Sequence, residues 1–175
     1  ARMSGGRWLT SVRAFFDAVA SQHRMPMDTA RMTESVEDFA STWPACIAAK
    51  AAALQAPDAG WRYLRALREA WVVDGRGIHR RAVQAEVAKE VGLDVAAFEG
   101  AIDDGRAEAA FVADREECAR NEVTGFPAFA ISRGDTSIRI NGWQPWEAFE
   151  DVLRQVEPGL VPRVVDPTEG SVLDL

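Results

Sequence analysis

Two cysteines, Cys46 and Cys118, and two histidines, His23 and His79, are the residues of this 175-residue chain whose types suit nucleophilic, redox or metal chemistry. Their spacing offers little. The cysteines are too far apart in sequence to form a C-x-x-C pair or a zinc-ligand run, and each histidine stands without a second ligand type at regular spacing. No metal site is expected. Isolated cysteines are commonly small buried hydrophobes, and Cys46 and Cys118 are read as packing residues. Asp and Glu are plentiful, but no pair is placed for acid–base work. Gly75-Arg-Gly77 lacks a third glycine and a preceding strand, so it is no phosphate cradle.

A different stretch carries more information. In "EVTGFPAFAI", residues 122 to 131, a charged helical pattern runs into Gly125-Phe126-Pro127 and then an apolar strand. Proline has no N–H and disfavours helical geometry at the residue before it. The stretch is therefore a sharp corner at a strand's mouth. Two readings fit these residues: a helix stop followed by an edge strand, or a cis-proline beside a site, cis being the rarer state of X-Pro bonds.

The elements that must position this corner fall into two groups. Val12, Phe15, Phe16 and Val19 predict a helix over 9–22, and "TARMTESVEDFASTW" reads as irregular with one helical turn. Pro44 opens an alanine-rich helix whose small side chains suit a tightly packed core. Trp61, Leu64, Leu67 and Trp71 predict a third apolar stripe, stopped by Gly75. Val83, Val87 and Val91 mark another helix, Asp94 caps the next, and a last one delivers the chain to Gly125. After Pro127, "AFAIS" and "TSIRI" flank Arg-Gly-Asp and predict a β-hairpin, with the tripeptide as its turn. "NGWQPWEAFEDVLRQV" adds a turn and an amphipathic helix, and the tail from Pro158 has no period. A lone hairpin is marginal in water, so further strands are expected from "ARMS", from upstream residues or from a partner chain, a homodimer included.

The totals are those of a globular chain, with 47% hydrophobic residues, 27% charged residues and a formal net charge of −7. An acidic balance disfavours general binding to nucleic acid, and no apolar run reaches the ~20 residues that span a bilayer. Neither nucleic acid nor membrane is an expected partner.

The αββα end with Gly-Phe-Pro before its first strand resembles the C-terminal half of a thioredoxin fold, and the helical block before it resembles the insertion of the DsbA family. "RMSGG", "WPACIAAKAAALQ", "RYLRALREA", "EVAKEVGLD", "TGFPAF" and "INGWQPWEAFE" match, in order, the FrnE-type group of predicted dithiol-disulfide isomerases. The resemblance implies an α+β, thioredoxin-like (DsbA-like) fold with a large all-helical insertion, mostly helical in this chain. Residues 1–8 and 123–157 would belong to the thioredoxin-like part, 9–122 to the insertion and 158–175 to a tail. It also implies a cytoplasmic thiol-disulfide oxidoreductase or isomerase acting on a protein or small thiol/disulfide, without cofactor. Its reactive C-x-x-C is expected upstream of Ala1, so no catalytic residue is named within this chain. Gly125, Phe126 and Pro127 are the expected substrate-binding corner. Two alternatives share the scaffold. One is a glutathione-using enzyme like the kappa-class transferases and hydroxychromene-carboxylate isomerases, with serine at the reactive position. The other is a non-catalytic module that binds a partner or peptide.

Overall fold

A computed structural model describes residues 6–23, 26–34, 39 and 41–160. The elements run α1 (Gly6–His23), α2 (Thr29–Glu34), α3 (Trp43–Ala53), α4 (Ala59–Val72), α5 (Arg81–Glu90), α6 (Val95–Asp103), α7 (Arg106–Arg120), β1 (Ala128–Arg133), β2 (Thr136–Asn141) and α8 (Trp146–Val156). The strand tail expected of "ARMS" and most of the expected C-terminal tail lie outside the described residues. Gly6 already belongs to α1. The chain forms two compact units that divide at Glu116–Glu117, inside α7. The last turn of α7, from Glu117 onward, goes with the hairpin, beside which it lines a cavity.

The helical unit is built around α3. Pro44 lies in its first turn, where a missing N–H costs nothing. Ala45, Ala48, Ala51 and Ala52 are buried, as the alanine run predicts, and meet Tyr63, Leu67 and Ala70 of α4, Val87 and Ala88 of α5, and Phe98 and Ala101 of α6. The approach at the α3–α4 turn is close enough that a Cβ on Gly60 would sit 2.8 Å from the Ala53 Cβ. Tyr63 is fully buried, its ring centroid 5.3 Å from that of Phe98, and its hydroxyl donates to the Gln84 carbonyl at 3.1 Å. Asp94 caps α6 by accepting the Ala97 amide at 3.0 Å.

The apolar stripe of α4 differs from the expected one. It runs through Ala59, Tyr63, Leu67 and Ala70, while Trp61 is 76% exposed. At roughly 100° per residue, position 61 lies on the opposite side of the helix from 63, and burial of Tyr63 excludes Trp61. Trp71 lies between the two faces, with Phe16 of α1 edge-on at 5.6 Å and its indole N–H donating to the Met32 carbonyl.

In the second unit β1 and β2 pair antiparallel, with Ala128 opposite Asn141, Ala130 opposite Arg139 and Ser132 opposite Ser137. Gly134 and Asp135 form the turn, and the Arg133 guanidinium is paired with Glu157. Strand alternation puts Phe129, Ile131, Ile138 and Ile140 on one face and Ala128, Ala130, Ser132, Ser137 and Arg139 on the other. On the first face Phe129 meets Phe149 of α8 edge-on, with ring centroids 4.9 Å apart. Such a contact contributes about 0.5–1.5 kcal/mol beyond area burial.

Candidate functional site

The corner at Gly125-Phe126-Pro127 is prepared by the end of α7. The Glu122 amide donates to the Ala119 carbonyl and the Val123 amide to the Cys118 carbonyl, at 3.0 and 2.9 Å. These two bonds are those of a Schellman motif, which requires a left-handed residue at the position after the cap. Glu122 occupies it with φ +53°. The Asn121 side chain donates to Glu117, once to its carbonyl and once to its carboxylate. Together with Arg120, that contact holds the Glu117 carboxyl below its ordinary range, the Arg120 hydrogen bond being the larger cause. The helix is thus closed firmly just before the chain turns.

The Phe126–Pro127 peptide bond is cis. The Phe126 side chain is 82% exposed and Gly125 and Pro127 are exposed as well. The Pro127 carbonyl accepts the Gly142 amide at 2.8 Å, so the corner is tied to the residue following β2. Trp143, next in the chain, is 70% exposed, and Trp146 is 62% exposed while stacking on Phe149 at 6.3 Å. One end of the hairpin unit therefore presents Phe126, Pro127, Trp143 and Trp146 to solvent. The sequence marked the turn at Phe126 and Pro127 but not the exposure of Trp146, whose indole N–H donates to Glu150 at 2.8 Å and whose ring stacks on Phe149 on one side.

On the opposite face of the hairpin, Glu117, Cys118, Asn121 and Val123 join Ala128, Ala130, Ser132, Ser137 and Arg139 around a cavity of about 350 Å³. Ala128, Ala130, Ser132 and Ser137 contribute small side chains, and Phe129 also borders it. Cys118 is half-buried there, and Cys46 is half-buried in α3. Burial pushes the Cys46 thiol up from its ordinary value, against a weaker opposing hydrogen bond from Thr42. A thiol so shifted is mostly protonated near neutral pH and a poor nucleophile. Among the described residues no cluster of three or more His, Cys, Asp or Glu could hold a metal ion, and no helix is long and apolar enough to cross a membrane.

The family model described as Thioredoxin matches residues 10–151. The chain belongs to the thioredoxin family. Among curated proteins this thioredoxin-family chain is similar to the ClpXP adapter protein SpxH of Shouchella clausii, 31% identical over 75% of this chain and 45% of that protein. It is also similar to the ClpXP adapter protein SpxH of Bacillus subtilis, 26% identical over 79% of this chain and 47% of that one. The chain thus spans about half the length of the curated relatives it matches. Among solved structures, the cytosolic disulfide reductase DsbM from Pseudomonas aeruginosa superposes with a TM-score of 0.68 at 22% identity, covering 88% of this chain and 80% of that one. The thioredoxin-like, DsbA-like fold with its helical insertion is therefore that of this chain.

Proposed function

We propose that this chain is part of a cytoplasmic thiol-disulfide oxidoreductase of the DsbA-like kind, with Gly125, Phe126 and Pro127 as its substrate-binding corner. The observation that carries the reading is the thioredoxin-family match over residues 10–151, which takes in that exposed corner. The reactive cysteine pair is proposed to precede the present residues. In the reaction one thiolate attacks a substrate sulfur, forms a mixed disulfide and releases the substrate's other sulfur as thiolate. The second thiol of the pair then attacks the mixed disulfide, so the dithiol is oxidised by two electrons and the substrate disulfide is reduced; the reverse direction forms a substrate disulfide. Within the present chain the corner's part is recognition. It offers exposed backbone at 125–127 and an apolar side chain at Phe126 to a segment lying beside the sulfurs. Similarity to a cytosolic disulfide reductase supports the compartment and the chemistry.

A second reading has its own support, since the curated relatives are adapter proteins. In it the scaffold binds a protein partner without exchanging electrons. The deciding measurement is reduction of a disulfide-linked reporter peptide by the full-length polypeptide, with dithiothreitol and then glutathione as electron donor. Turnover with dithiothreitol supports the dithiol oxidoreductase, and turnover that depends on glutathione alone selects the glutathione-using alternative. Absence of turnover alongside retained partner binding overturns the enzyme and leaves the adapter.

A further inference from the structure

Three of the most exposed large apolar side chains among the described residues, Phe126, Trp143 and Trp146, belong to one end of the hairpin unit. The bond from the Gly142 amide to the Pro127 carbonyl ties the segment bearing both tryptophans to the corner. At its other end that segment is closed by the Ala148 amide, which donates to the Pro145 carbonyl at 3.1 Å. Trp146 is held from two sides, its indole N–H donating to Glu150 and its ring stacking on Phe149, which itself meets Phe129 edge-on. The Trp143 indole N–H has no protein acceptor among the described residues. Large apolar side chains gathered on pinned backbone and turned to water mark an interaction surface.

The charges around this surface select its partner. Residues 117–160 carry seven acidic side chains and four arginines. Arg120 pairs with Glu117, Arg133 with Glu157, and Arg154 with Glu150 and Asp151. Arg139 lines the cavity beside α7. Glu122, just before the corner, and Glu147, next to Trp146 in the first turn of α8, are exposed and have no ion pair among the described residues. We infer that this end of the unit binds an extended protein segment with an aromatic or aliphatic side chain next to arginine or lysine, Trp143 and Trp146 setting that preference. The inference rests on reading 125–127 as the recognition corner and gives the corner's partner its chemistry. The apolar side chain covers the two indoles, and the Trp143 N–H donates to a backbone carbonyl of the segment. The guanidinium or ammonium answers Glu147 and lies over an indole face. A second copy docking through the same patch would bring Glu147 against its own counterpart, and the phosphates of a nucleic acid or a lipid surface meet the same repulsion.

The test uses the full-length polypeptide and two synthetic cysteine-free peptides, one with phenylalanine flanked by arginines and one with the same phenylalanine flanked by glutamates. Each is titrated into protein labelled with ¹⁵N at tryptophan, following the Trp143 and Trp146 indole N–H resonances, which Trp143→Phe and Trp146→Phe assign. Saturable shifts of both are expected with the arginine peptide, at a submillimolar dissociation constant that rises with added salt. The glutamate peptide is expected to bind about tenfold more weakly or worse, and so is the arginine peptide with alanine in place of phenylalanine. Trp143→Ala should weaken the arginine peptide severalfold at an unchanged unfolding midpoint, and Glu147→Gln should narrow the gap between the two charged peptides. No shift of either indole up to about 5 mM arginine peptide overturns the inference, as a submillimolar site would then be nearly saturated. Equal binding of the two charged peptides, or unchanged affinity in Trp143→Ala, overturns it as well. So does protection of both indole N–H protons from solvent exchange before any peptide is added: protection that grows with protein concentration makes a second copy the occupant, and protection independent of it makes other residues of the same polypeptide the occupant. The peptides exchange no electrons, so this outcome is separate from turnover of the disulfide reporter. Turnover without peptide binding overturns the preference and leaves the oxidoreductase; binding without turnover upholds the preference and overturns the oxidoreductase.

Discussion

The Gly142 amide donates to the Pro127 carbonyl at 2.8 Å, joining the residue after β2 to the corner before β1. Gly142 can do so because it adopts φ +73°, and a Cβ there would meet no atom within 4 Å. The obstacle to a side chain is the backbone alone. Gly142→Ala should therefore destabilise the hairpin unit by about 1–2 kcal/mol, the ordinary penalty of a left-handed L-residue. Thermal unfolding followed through the hairpin amides checks this, and an unchanged midpoint would contradict it.

Glu122 presents the opposite opportunity. It holds the left-handed position of the Schellman motif where glycine is the usual occupant. Glu122→Gly should stabilise the fold by about 0.5–1 kcal/mol, because relief of the side-chain strain outweighs the added freedom of the unfolded chain. A higher denaturant midpoint at unchanged slope is the expected result.

Gly125 has no positive φ and open space around its missing Cβ. Gly125→Ala should leave the unfolding midpoint within about 0.5 kcal/mol of the parent, as surface substitutions do. If a substrate backbone lies against the corner, the same methyl group should slow disulfide exchange by the full-length polypeptide severalfold. Unchanged exchange would remove Gly125 from the binding surface.

Tyr63 is the chain's single tyrosine, so its titration can be assigned without ambiguity. Burial pushes its hydroxyl far above the ordinary phenol range, with Arg81 and Arg76 opposing weakly. The folded protein should show no phenolate absorption at pH values where free tyrosine ionises, about 10. The unfolded chain releases that proton first, so stability should fall as pH rises above about 10. Tyr63→Phe should cost about 1 kcal/mol through the lost bond to the Gln84 carbonyl and abolish that part of the alkaline decline.

Asp104 accepts both the Arg106 amide and the Arg106 guanidinium, at 3.0 and 2.8 Å, which holds its carboxyl below the ordinary range, the amide being the larger cause. A depressed carboxylate stabilises above its unfolded pKa of about 3.9, and that contribution is lost as pH falls through the lower, folded value. Asp104→Asn should thus melt below the parent at neutral pH and converge with it in strong acid. Parallel melting curves at every pH would exclude the role.

How far the sequence could be read depended on whether a signal was local. Asp94 before an apolar run, Pro44 before an alanine run and two short strands around a Gly-Asp turn are signals within a few residues, and each matches its element in the structure. At 125–127 the residues marked a turn but left its role open between a helix stop and a site. The α4 stripe was misjudged because Trp61 and Tyr63 are both aromatic and only packing against Phe98 decides between them. The helix end at Glu122 carried no glycine to announce it.

The alanine-rich packing of α3 has one more consequence, in entropy. Alanine has no side-chain rotamers to lose on folding, whereas long side chains give up as much as about 2 kcal/mol each. Eight of the twelve residues in the central cluster are alanines. That core gains little apolar area from each position, yet ordering it costs little beyond the backbone. Its specificity then rests on how closely the helices approach. A single added methylene at Ala48 or Ala51 would have to push two backbones apart, where a core of leucines could answer by turning a side chain.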